Sequence, residues 1–189
     1  RSLSPVALLC GLGLLGLWAT STPAYAAPLA VEASASGVAA PSGAGGATQL
    51  GLRWLATERL SLGFFGRTGY LSGVEAADTG FLALAAGPAL HLPTNAGVAQ
   101  LAVRFAHVHH APARTWLETP FGNLFGDSAG QVRHRSGVEA ALGWIGGEIL
   151  DEPGLRWRAE LSAGLLPSSA EMGWTAGLAL GVSWALADP

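Results

Sequence analysis

Between Trp174 and Leu186 every second residue is apolar, and every residue between them is small. Trp174, Ala176, Leu178, Leu180, Val182, Trp184 and Leu186 take one parity; Thr175, Gly177, Ala179, Gly181 and Ser183 take the other. Period two places the two sets on opposite faces of an extended strand. At about 3.3 Å per residue, roughly ten tilted residues cross a hydrocarbon layer. The same alternation recurs with charge on the second face. Leu155, Trp157, Ala159, Leu161, Ala163 and Leu165 oppose Arg156, Arg158, Glu160, Ser162 and Gly164. Val138, Ala140, Leu142 and Trp144 oppose Arg133, Arg135, Gly137, Glu139 and Gly143.

Read backwards along the chain, the pattern predicts further strands at 99–109, 80–92, 60–70, 47–56 and 30–39. These carry Arg104, Arg67, Arg53 and Glu32 on the less apolar face. The total is eight, an even number, as single-chain bacterial barrels have. Short turns fall at Thr57-Glu58-Arg59 and at Pro93 to Gly97, a third at 147–154, and a long connection at 110–130. If both termini lie in the periplasm, the short turns face inward and the long loop faces outside. Pro88 lies inside a predicted strand and marks a bulge or a strand end; 80–92 also reads as a short helix.

Alternation alone also fits a soluble barrel or sandwich whose apolar face points inward. Three observations favour lipid. Only 12 % of residues are charged, against about 25 % in ordinary soluble domains, and all ten basic residues are Arg. Indoles recur near strand ends, where aromatic girdles sit. Apart from Glu32, Glu139 and Glu160, the acidic residues fall in turns, loops or the tail. The expected fold class is therefore all-β, an eight-stranded antiparallel up-and-down transmembrane β-barrel over residues 27–189.

Residues 1–26 read as a cleaved signal peptide. Arg1 gives a positive start, Val6 to Trp18 an apolar run, and Pro23-Ala24-Tyr25-Ala26 a small-residue cleavage site. A retained anchor would need about 20 apolar residues. Cys10 sits within the run, whereas a lipoprotein cysteine ends it. The mature chain then has no cysteine, which excludes disulfide chemistry.

Over 30–186 this pattern resembles the small outer-membrane barrels of the OmpA/OmpX type. The resemblance implies a Gram-negative envelope protein in contact with outer-membrane lipids and lipopolysaccharide, assembled by the barrel-assembly machinery, and monomeric. Gly181-Val-Ser-Trp184-Ala-Leu186 is similar to the terminal strand signal that this machinery reads, although the chain ends in Ala187-Asp188-Pro189 instead of an aromatic residue. Nucleic-acid signatures, phosphate-binding loops and cofactor motifs are not found in the sequence.

By parity, Arg53, Arg67, Arg104, Arg133, Arg135, Arg156 and Arg158 point into the lumen with Glu32, Glu139 and Glu160. Buried charges must be paired or hydrated, so a salt-bridged plug is expected. An anion-selective, porin-like pore is the alternative. His107, His109 and His110, with His134 across a hairpin, form an interfacial cluster at the outer end, read as amphipathic side chains; imidazoles can also bind metal, but no ligand spacing fixes a site. The segment Arg104-Phe105-Ala-His107-Val-His109-His110-Ala111 also looks like the Arg-Phe-x-His-x-Ser-Asn-Ala motif of outer-membrane lipid A deacylases. That resemblance implies a catalytic role for His107 in lipid A hydrolysis, but His109 stands at the nucleophile's position and His110 at the Asn position. The third class kept open is a soluble periplasmic lipid-binding barrel. In the long loop, Trp116, Leu117, Phe121, Leu124 and Phe125 form an apolar patch, which either folds over the mouth or meets a partner. Thr115-x-x-Glu118 has the form of a helix-capping box.

Overall fold

The computed structural model describes residues 29–73, 78–118, 132–148, 154–167 and 172–186. These form eight strands, β1 (Leu29–Ala40), β2 (Gly43–Leu55), β3 (Leu60–Ser72), β4 (Thr79–Thr94), β5 (Gly97–Pro112), β6 (Arg133–Glu148), β7 (Leu155–Leu165) and β8 (Trp174–Ala185), with one short helix, α1 (Ala113–Glu118). The strands pair antiparallel in chain order, and β8 returns to β1 to close a barrel. The expected signal peptide and Phe121, Leu124 and Phe125 lie outside the described residues. Among the described residues no helix is long and apolar enough to cross a membrane; a crossing is made by strands.

Each predicted strand is present, and several run further than the alternation indicated. β2 starts at Gly43, because Gly43-Ala-Gly-Gly46 pairs with β1 and β3 without contributing large apolar side chains. β4 is a strand throughout, so the helical reading of 80–92 is wrong. Pro88 is neither a bulge nor an end. The β4–β5 ladder has no pairing at Gly87 and Pro88, yet Ala86↔Phe105 and Ala89↔Ala102 keep one register on either side. Proline supplies no N–H there, and a Cβ on Gly87 would come within 2.1 Å of the Val103 carbonyl oxygen. A register shift does occur between β6 and β7, between Ile145 and Glu148.

The strands present their apolar parity outward. Leu50, Val103 and Leu180 are 67, 61 and 64 % exposed, and Leu62, Phe64, Phe105, Leu142 and Leu161 extend the same band. A soluble monomer does not leave so continuous an apolar wall bare; acyl chains cover it. Trp54, Trp157 and Trp184 lie toward the end that holds the start of β1 and the end of β8, called the inner end after the expected orientation. Trp174 and Tyr70 stand toward the opposite, outer end. Those two levels match the aromatic girdles of membrane barrels.

Candidate functional site

Inside the inner and middle lumen four arginines and three glutamates form one continuous chain. Arg53 on β2 pairs with Glu32 on β1 at 2.5 Å and donates to Gln100 Oε1 on β5 at 3.2 Å. Glu32 also pairs with Arg158 on β7, which pairs with Glu160 two residues along. Glu160 receives a two-pronged bond from Arg104 on β5, at 2.8 and 2.5 Å. Arg104 reaches Glu139 on β6 at 2.9 Å, and Arg67 on β3 reaches the same carboxylate at 3.0 Å and Gln49 Oε1 at 2.9 and 3.0 Å. The Arg104 guanidinium lies 4.3 Å from the centre of the Phe65 ring, a cation–π contact. Every link is charge-assisted, and the forked guanidinium suits the carboxylate pairs.

The other three predicted lumen arginines share the inward parity but not the depth. Arg133 and Arg156 are exposed and Arg135 is partly buried. Arg133 begins β6 at the outer end and Arg156 lies one residue inside β7 at the inner end, so both occupy the rims. Arg135 donates to the His134 carbonyl at 2.9 Å. Parity sets the face of a strand; height along the axis decides whether that face is enclosed.

Above the ion-pair chain the lumen changes character. Val38, Leu71, Phe81, Val108, Leu166 and Met172 pack together, all buried, at the outer end. A cavity of about 30 Å³ separates the two zones, between Arg67, Glu139 and Gln49 below and Phe81, Val108, Leu166 and Met172 above. It has room for a water or two.

At the outer end of β5, His107 and His109 face outward. His109 pairs directly with His134 on β6, and His107 with Ser136. Their ring centroids lie 4.8 Å (His107–His109), 5.7 Å (His107–His134) and 4.3 Å (His109–His134) apart. His107 Nδ1 is 2.8 Å from Ser136 Oγ. His110 is not part of this group: it faces the lumen opposite Phe81 and is buried. One ring nitrogen from each of His107, His109 and His134 lies within 4.8 Å of the others, and among the described residues the group holds imidazoles only.

The helix α1 does not cover the mouth. It packs on the outer wall against β4 and β5, with Trp116 so close to Gly80 that a Cβ there would meet the indole at 2.3 Å. Leu117 is 79 % exposed. The helix begins at Ala113, and Glu118 ends it, pairing with Arg114 at 2.8 Å instead of closing a capping box from Thr115. On the next outer turn, the Tyr70 hydroxyl donates to Asp78, and Ser72 Oγ donates to the same carboxylate at 3.2 Å. These hydrogen bonds, Tyr70 foremost, hold Asp78 below the usual aspartate range.

No protein-family model matches the chain, and no curated protein matches it. Among solved structures it is similar to Neisserial surface protein A, with a TM-score of 0.62 and 12 % identity over 82 % of this chain and 96 % of that one. It is also similar to the outer membrane protein OprG from Pseudomonas aeruginosa, with a TM-score of 0.50 and 9 % identity over 86 % and 97 %. The fold is that of a small outer-membrane β-barrel.

Several lining residues of this outer-membrane barrel carried no assignment from sequence. Phe65 sits under Arg104, and His91, buried, is 2.7 Å from Ser61 Oγ through its Nε2. Both occupy inward parity, which was the available signal; neither carries a formal charge that would mark it. Ser136 was also missed. It supplies a hydroxyl to His107, but from the neighbouring strand and not from the position the deacylase motif requires.

Proposed function

We propose that the chain is exported with residues 1–26 removed, is inserted as a monomer by the barrel-assembly machinery, and serves as a closed scaffold in the outer membrane. Its work is then done by the outer-end surface, where Leu117 and its neighbours meet a partner or lipopolysaccharide. The observation that carries this reading is the occupied lumen. An ion-pair chain crosses from β2 through β1, β7 and β5 to β6 and β3, and apolar packing follows it, which leaves about 30 Å³ between them. An eight-stranded barrel has an interior just wide enough for side chains to fill. The name of one structural neighbour, a surface protein, agrees with a surface role.

The hydrolytic reading has less support, because no carboxylate joins the imidazole group among the described residues to orient His107. The test is reconstitution. Protein in planar lipid bilayers is expected to give no single-channel openings, and in cells to stay with the outer membrane after carbonate washing and to migrate differently with and without heating. Steady anion-selective conductance would overturn the scaffold reading, and release by carbonate would overturn the membrane assignment.

A further inference from the structure

Three imidazoles meet at one point on the outer rim, and amphipathic character alone does not require that. Interfacial side chains gain as much when spread around the wall. His107 and His109 are two residues apart on β5 and so share a face, and His134 stands opposite His109 across the ladder. Directly opposed Cβ atoms lie about 4.5–5.5 Å apart, so paired backbones fix all three side-chain origins before any ligand arrives. We propose that His107, His109 and His134 form a binding site for a divalent transition-metal ion of the Zn²⁺ class, with a fourth coordination position open to solvent.

The donor set chooses the ion. The described group offers three imidazole nitrogens and no oxygen of a carboxylate. Ca²⁺ and Mg²⁺ require oxygen ligands, whereas imidazole suits Zn²⁺, Cu²⁺ and Ni²⁺. Three histidines with an open fourth place are also a known Zn²⁺ arrangement. Size agrees. Tetrahedral Zn²⁺ at about 2.0–2.1 Å from nitrogen sets its donors about 3.4 Å apart, so donors now within 4.8 Å need to move by only about 1 Å each. Small side-chain rotations supply that.

Ser136 completes the arrangement. With Nδ1–H of His107 donated to Ser136 Oγ at 2.8 Å, the Nε2 lone pair is left for the ion, and the ring is held in one orientation. Such outer partners of ligating histidines tune metal affinity. Access is open, because His134 is exposed while His109 is buried at the base of the group.

The experiment uses the folded barrel in detergent micelles, prepared without a polyhistidine tag, with heat-modifiable migration checked for each variant. Equilibrium dialysis against Zn²⁺ is expected to leave about one ion per barrel, and Co²⁺ in its place to give the intense visible bands of four-coordinate cobalt. His109→Gln and His134→Gln each weaken Zn²⁺ binding at least about tenfold, and Ser136→Ala by about tenfold. His110→Gln, which alters the inward-facing imidazole, leaves it unchanged. The proposal is overturned if the folded barrel retains no Zn²⁺, if uptake survives both His109→Gln and His134→Gln, or if His110→Gln lowers it as much.

Discussion

The inner and outer parts of the lumen are lined by the same strands at the same parity, and they resolve burial in opposite ways. Toward the inner end, large charged side chains from six strands interlock, and Ala89, Ala102 and Ala141 leave them space. Toward the outer end, Leu71, Phe81, Leu166 and Met172 pack as an apolar cluster, with the partly buried Arg135 opposite Val108 on the ladder. The ionic part depends on completeness, since each carboxylate in it serves two guanidinium groups and a single deletion weakens the pairing of more than one charge. The apolar part fails gradually, by cavity. A narrow barrel can thus be filled by either chemistry, but only the ionic filling ties strands together with directional bonds.

The largest expected effect comes from Arg104→Ala, which leaves Glu139 and Glu160 each short of a partner in the lumen. Removing one side of a buried pair costs about 3–5 kcal/mol, to be read as a lowered midpoint of denaturant unfolding in lipid vesicles. Arg104→Lys retains the charge but loses the fork, and recovers part of that loss. Leu71→Ala, in the apolar part, is expected to cost about 2–5 kcal/mol through the lost side chain and its cavity. If Leu71→Ala lowered stability clearly more than Arg104→Ala, the contrast between the two zones would invert.

Ser61→Ala sharpens the comparison from inside the ionic zone. It leaves the buried His91 ring without its 2.7 Å partner, a neutral contact, at a cost of about 1–3 kcal/mol. A cost equal to that of Arg104→Ala would mean that charge is not what distinguishes the inner lumen. The smallest effect lies outside both zones. Tyr70→Phe removes the donor that chiefly holds Asp78 low, so an NMR titration of the Asp78 carboxyl should shift upward toward the usual range. In the unmodified protein that contact stabilises above the unfolded-state pKa, and its contribution is lost as pH falls through the lower folded value.

The strands were legible because outward side chains are large and inward ones small or charged, and that contrast survives even with glycine as the partner residue. It fades at Gly43-Ala-Gly-Gly46, where nothing large marks a face and the start of β2 went unseen. It fades again at Phe81, set between Gly80 and Leu82, and at Val108, set between two histidines, where the inward side chain is the apolar one; the apolar zone was therefore hidden. Arg53, Arg104 and Arg158 were placed by parity, but parity carries no height, and so Arg133 and Arg156 were assigned to an interior that their strand ends do not reach. The meeting of His107 with Ser136 depends on hairpin register across a loop, which residue spacing along one strand cannot supply.

The bond between Glu32 and Arg158 joins positions 126 residues apart, on the first and seventh strands. Those strands are brought together through β8, which pairs with β7 on one side and with β1 on the other. Closure is therefore what joins the Glu32–Arg53 pair to the rest of the ion-pair chain. The cylinder is thus latched from within across β8, and parting β1 from β7 there means breaking the bond between Glu32 and Arg158.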